Sequence, residues 1–261
     1  MKLFSMEINN IKLPDSWFDV SVDQFIQLNN IQYSEFDSVL SYRIEQLCIL
    51  SDTSIDDECW SEIDVGDLQE VFSKMSWLTT QPSTRYKKDL DVFKIKELKN
   101  ITLGEFIDID SVFSTNYILK LPDICSILYR KFKYDEWEHL LLEPRKYDEQ
   151  ARANIMLDFK ITDVYGVITE YLTFKKNFIT AFEHLFQDPE TSVEEEPVEL
   201  LTPDERAALN KEKMLLKWNW ERIIYNLSDG DMTKFDAITE LPLIFVFNQL
   251  AMRKELKNQL S

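Results

Sequence analysis

Two stretches of the chain share one pattern of polar and apolar positions. They are Val20-Ser21-Val22-Asp23-Gln24-Phe25-Ile26-Gln27-Leu28 and Ile101-Thr102-Leu103-Gly104-Glu105-Phe106-Ile107-Asp108-Ile109. In each, a hydroxyl residue is followed three places later by Gln or Glu, then by Phe-Ile-x-Leu/Ile. The hydroxyl accepts a bond from the amide of the third helical residue, whose side chain returns to the cap amide. Both phrases therefore predict helix starts, with helices over 21–30 and 102–113. Ser21 and Thr102 stand 81 positions apart. That spacing reads equally as a duplication or as two separate uses of a common cap.

Elsewhere the periodicity is mostly helical. Residues 2–13 alternate (Leu3, Met6, Ile8, Ile11, Leu13) and predict a short strand or hairpin that Pro14 ends. A helix is expected over 34–50, with Phe36, Val39, Leu40, Ile44, Leu47 and Cys48 as its stripe. Ser54-Ile55-Asp56-Asp57 and Asp64-Val65-Gly66-Asp67 read as further helix starts, the second feeding Leu68, Val71, Phe72, Met75 and Trp77. Between Thr79 and Asn100 the pattern shifts to a small extended insert around Val92, Ile95 and Leu98. An apolar helix follows over 123–129. Trp137, Leu140, Leu141 and Leu142 read as an amphipathic turn before Pro144, and a helix is expected over 147–157. The stretch 162–185, interrupted by Gly166, reads as the most buried helix, with Gly166 as a packing contact. Thr202-Pro203-Asp204-Glu205 opens a helix to Leu227, Asp229-Gly230-Asp231 turns the chain, and helices over 232–238 and 241–260 follow.

The expected fold is mainly α: a multi-helix bundle with a short N-terminal β-hairpin and a small extended insert near residues 84–100. The expected division is a helical domain, 1–187, holding two capped-helix units at 15–78 and 97–187. An acidic linker, 188–203, and a C-terminal helical segment, 204–261, complete it. Asp188, Glu190, Glu194, Glu195, Glu196 and Glu199, with Pro189, Pro197 and Pro203 and no Lys or Arg, mark the linker.

Composition narrows the classes. Hydrophobic residues at 44% and aromatics at 13% suffice for a folded core. Four glycines in 261 residues favour helices over turn-rich β folds and argue against phosphate-cradling loops. A net charge of -18 disfavours nucleic-acid backbones and anionic membranes. It fits a self-repelling soluble surface, or an acidic face for a basic partner such as a DNA mimic presents. Cys48 and Cys125 lie in apolar runs and read as buried free thiols of a reducing compartment. Met1 to Glu7 lack the apolar core of a secretory leader, and no run is long enough to span a membrane.

No constellation points to catalysis, and no cofactor or metal is expected. Asp229-Gly230-Asp231 is followed by Met232, Lys234 and Phe235, which do not supply the oxygen ligands a calcium loop needs at fixed positions. His139 and His184 have neither a second His nor a Cys within a turn and read as surface residues. Carboxylates are plentiful, but nothing singles out an acid–base pair. Neither Gly-x-Ser-x-Gly nor Gly-Lys-Ser/Thr occurs. The densest aromatic region holds Trp218, Trp220, Tyr225 and Phe235. It reads first as core packing and second as a protein-binding face, because Trp and Tyr are frequent interface anchors.

The order of several phrases resembles proteins from the structural and assembly gene clusters of tailed bacteriophages, tail-assembly chaperones and virion proteins among them. The carriers are Ile101 to Asp108, Leu121-Pro122-Asp123-Ile124 with Leu128-Tyr129-Arg130, and Trp218-Asn219-Trp220 with Leu227-Ser228-Asp229-Gly230-Asp231. Ile238-Thr239-Glu240-Leu241-Pro242 and Asn248-Gln249-Leu250-Ala251 follow. The resemblance implies a helical, non-enzymatic tail-assembly chaperone, or alternatively a structural component of neck, tail or capsid interior. It implies tail or neck proteins as partners, no direct nucleic-acid or membrane binding, self-association as a further option, and the host cytoplasm or the virion as location.

Overall fold

The computed structural model describes residues 12–52, 65–113, 116–135, 139–143, 149–186 and 219–260. They are mostly helical, with one small antiparallel sheet. The helices are α1 (Val22–Asn30), α2 (Val39–Ser51), α3 (Val65–Lys74), α4 (Leu103–Phe113), α5 (Leu121–Leu128) and α6 (Glu149–Met156). They continue as α7 (Ile161–Val164), α8 (Gly166–Ala181), α9 (Glu183–Phe186), α10 (Asn219–Leu227), α11 (Phe235–Thr239) and α12 (Leu243–Leu260). Strands β1 (Asp89–Leu90), β2 (Phe93–Ile95), β3 (Tyr129–Tyr134) and β4 (Leu140–Leu142) lie side by side in that order. Contacts divide the chain into one unit of residues 1–96 and 112–172 and another of 97–111 and 173–261.

Both capping boxes form. Ser21 Oγ accepts from Gln24 N–H at 3.1 Å, and Gln24 Oε1 accepts from Ser21 N–H at 3.1 Å. Thr102 Oγ1 accepts from Glu105 N–H at 3.2 Å, and Glu105 Oε2 accepts from Thr102 N–H at 2.8 Å. The Gln24 amide also donates to Ile49 O and Leu50 O, both at 3.2 Å. It thereby satisfies carbonyls at the C-terminal end of α2 that the helix leaves unpaired.

A second shared device is invisible in the side-chain pattern. Each cap residue pairs, as an isolated antiparallel bridge, with the residue just before another helix: Ser21 with Lys160 and Thr102 with Pro242. In the first unit Val22 N–H donates to Phe159 O, and Ile161 N–H donates to Val20 O, both at 2.9 Å. In the second unit Leu103 N–H donates to Leu241 O, and Leu243 N–H donates to Ile101 O, again both at 2.9 Å. The flanking apolar residues match position by position. Val20, Val22 and Phe25 are buried with Ile161 and Val164, as Ile101, Leu103 and Phe106 are with Leu243 and Val246. One capped-helix-and-bridge arrangement thus occurs once in each unit.

The extended insert near 84–100 is present as β1 and β2, joined through Asp91 in the left-handed region at φ 52°. Several expectations are corrected or fall outside the description. Of the N-terminal hairpin, Lys12 and Leu13 carry no strand, and residues 2–11 lie outside the described residues. The expected linker 188–203, the helix start at Thr202 and the start at Ser54 also lie outside them. The predicted turn at Leu140 to Leu142 is strand β4, paired with β3, and β3 itself was not anticipated. Short apolar runs carry no period of their own, so the neighbouring strand's unpaired amides and carbonyls decide their form.

A further correction concerns burial. The stretch 162–185 is three helices, α7, α8 and α9, and α8 exposes Leu172 and Ile179. Helix α5 is instead buried at every position but Asp123, packed on α6 and β3. Its C-terminal carbonyls bond two buried arginines: Arg130 Nε donates to Ile127 O at 2.7 Å and Arg152 Nε to Ser126 O at 3.1 Å. Cations there also complement the negative end of the helix dipole.

Within α5, burial pushes the Cys125 thiol well above its ordinary range. Since the thiolate is the reactive species, Cys125 is expected to resist iodoacetamide in the native protein and to alkylate fully in denaturant. Peptide mapping by mass spectrometry reads this directly, and rapid native modification would contradict the packing described.

Candidate functional site

Of the four residues of the expected aromatic face, the three that are described differ in exposure. Trp218 lies outside the described residues. Trp220 turns inward, its ring 5.4 Å from that of Phe106 and 6.4 Å from that of Phe247. The reason is helical spacing: Trp220, Ile224 and Leu227 share the face of α10 turned to the core, while Tyr225 is rotated about 100° from Ile224. Tyr225 is 55% exposed and its hydroxyl lies 3.1 Å from where a Cβ on Gly230 would stand. Phe235 is half-buried at the start of α11.

Asp229-Gly230-Asp231 makes the turn the sequence indicates. Asp229 and Gly230 take φ of 53° and 80°, and Gly230 N–H donates to Tyr225 O at 3.0 Å. Asp231 Oδ1 accepts from the Thr233 hydroxyl at 2.6 Å and from Thr233 N–H at 3.0 Å. Those bonds, the hydroxyl's first, hold its carboxyl below the ordinary carboxylate range. Among the described residues no group of His, Cys, Asp and Glu is placed to hold a metal ion. His139 is exposed, its Nδ1 3.0 Å from Asp135 Oδ2, and the His184 side chain lies outside the description. No described helix is long and apolar enough to cross a membrane.

A surface the sequence pattern did not single out lies on α12. That helix begins with Leu243-Ile244-Phe245-Val246-Phe247, apolar on all sides. Leu243, Val246 and Phe247 are buried, with Phe247 against Phe178 at 4.7 Å and Phe182 at 5.3 Å. Phe245, Met252 and Leu256, 48%, 47% and 50% exposed, fall on the other side. Their spacing of seven and then four residues aligns them in one stripe. Arg253, beside the stripe, donates to Asn226 O at 3.1 Å and lies 3.6 Å from Asp229. This ties α12 to the turn after α10. The spacing was present in the sequence, but five successive apolar residues give no sign of which side meets the core.

The fold and surface define a mostly helical protein whose second unit carries a solvent-facing apolar helix stripe. Comparison with protein-family models, with curated proteins and with solved structures finds no match.

Proposed function

We propose that the chain is a non-enzymatic assembly factor of a tailed bacteriophage, a tail-assembly chaperone that holds a tail component in the host cytoplasm before polymerisation. The observation that carries this reading is the stripe of Phe245, Met252 and Leu256. It stands on a helix whose opposite side is already occupied by Leu243, Val246 and Phe247. The apolar side chains left over are thus not needed for that packing, and an amphipathic helix face is a common way to grip another protein. The family resemblance supplies the class of partner. Tyr225 adds an exposed aromatic in the same unit, whereas Trp220 serves the reading indirectly, by holding α10 in place.

Co-expression with the tail-tube and tape-measure proteins of the encoding phage tests it. The wild-type chain is expected to co-purify with one of them and keep it soluble. Phe245→Asp with Met252→Asp is expected to weaken that capture at least tenfold while leaving the thermal midpoint within a few degrees. Capture of neither protein, or capture untouched by the double substitution, overturns the reading. Recovery of the chain at fixed copy number in purified virions would replace it with a structural virion role.

A further inference from the structure

We propose that the free edge of β4 is a self-association site, through which two copies of this chain join their sheets about a two-fold axis at Leu141. The two ends of the sheet differ. The β1 edge is two residues long and carries Asp89, with Lys88 before it and Asp91 after, charges of the kind that blunt edge-to-edge pairing. The β4 edge is Leu140-Leu141-Leu142, with Leu140 and Leu141 40% and 42% exposed. Nothing charged lies within the strand itself.

The register says which groups are free. Lys133 stands opposite Leu141. Asp135 N–H donates to His139 O at 3.0 Å and Glu143 N–H donates to Lys131 O at 2.9 Å. Hydrogen-bonded pairs in an antiparallel ladder fall at every second residue. The amides and carbonyls of Leu140 and Leu142 therefore face away from β3, and among the described residues no hydrogen bond reaches them.

Those outward groups are symmetric about Leu141. A second copy related by a two-fold axis there pairs Leu140 with its Leu142 and Leu142 with its Leu140, forming four ladder hydrogen bonds. On one face the four leucines join Phe132 and Tyr134 of each copy, since these stand opposite Leu142 and Leu140. On the other face the same register sets Glu143 of one copy opposite His139 of its mate, a complementary pair. Against this stands the repulsion of two chains of net charge -18. Repulsion of that kind is screened over about 10 Å at 0.1 M salt, so association should be weak and should strengthen as salt is added. An interface held mainly by ion pairs would behave in the opposite way.

The inference does not depend on the assembly role, because it concerns the first unit and needs no other protein. Two measurements on the full chain test it. Sedimentation velocity over a concentration series at 50 and 500 mM NaCl is expected to show a monomer–dimer equilibrium that tightens at high salt. Leu140→Lys is expected to weaken it at least tenfold, although that change makes the chain less negative. In the non-bonded pair at the axis the two Leu141 Cα atoms would stand about 4.5 Å apart, within the roughly 4.4–6.8 Å that a disulfide spans. Leu141→Cys should accordingly give a covalent dimer on mild oxidation, whereas Leu140→Lys with Leu141→Cys should not. A wild-type chain that stays monomeric at high salt, or cross-linking equal in the single and double variants, overturns the proposal.

Discussion

Replacing Gly166 with alanine is expected to lower the unfolding free energy by about 3 kcal/mol or more, at the top of the range for overpacking a closed site. A Cβ there would stand 2.0 Å from Thr84 O, 2.6 Å from Thr84 C and 2.7 Å from Arg85 C. All three are backbone atoms, so no rotamer change relieves the clash. Nor can that segment recede freely. Lys87 N–H donates to Asp163 O at 2.8 Å, and Lys87 O accepts from the Tyr129 hydroxyl at 2.7 Å. Gly104→Ala is the matched control. Its Cβ would meet Thr239 Cβ at 3.1 Å and Thr239 O at 3.2 Å. A gain of about 1 kcal/mol in helix propensity offsets that crowding, so its stability should stay near wild type. Urea unfolding of the two variants decides the matter; equal midpoints would remove the distinction between the two glycines.

Phe106→Ala is expected to cost about 3–5 kcal/mol, the usual penalty for emptying a buried aromatic site. Phe106 is 1% exposed, with the rings of Phe178 and Trp220 at 5.5 and 5.4 Å. The loss should appear in the near-ultraviolet circular dichroism of the aromatic cluster as well as in the denaturation midpoint. Phe25 holds the corresponding place in the first unit, its ring 5.6 Å from both Trp17 and Tyr165. Phe25→Ala should therefore cost a similar amount. As the two side chains share no ring partner among the described residues, the double variant should lose roughly the sum. Strong non-additivity would show that the units are energetically one.

What the sequence made legible was local. The capping boxes at Ser21 and Thr102, the turn at Gly230 and the packing role of Gly166 each have a residue whose chemistry declares them. The bridges to Lys160 and Pro242 do not, because backbone groups make them and any residue can supply a carbonyl. Strand β3 was hidden for another reason. Tyr129, Phe132 and Tyr134 are good strand formers, yet Tyr129 falls in the expected helix 123–129 and the intervening Arg130, Lys131 and Lys133 leave no apolar run. The stripe on α12 was hidden in a similar way. Aromatic density pointed to Trp220, which the core claimed, while Met252 and Leu256 lay unremarked in a helix correctly expected. Periodicity shows that a helix has an apolar side; with two such sides, only the packing partners reveal which one is left over.

The paired bridges also set a timetable for synthesis. Val20 and Ser21 emerge early from the ribosome, but their partners around Lys160 follow only after Ile101 and Thr102 have appeared as well. Two similarly patterned helix starts therefore wait together, unclosed, when the first partner arrives. The second must stay open for the whole further stretch to Pro242, and the interval exposes the nascent chain to a mistaken exchange of one start for the other.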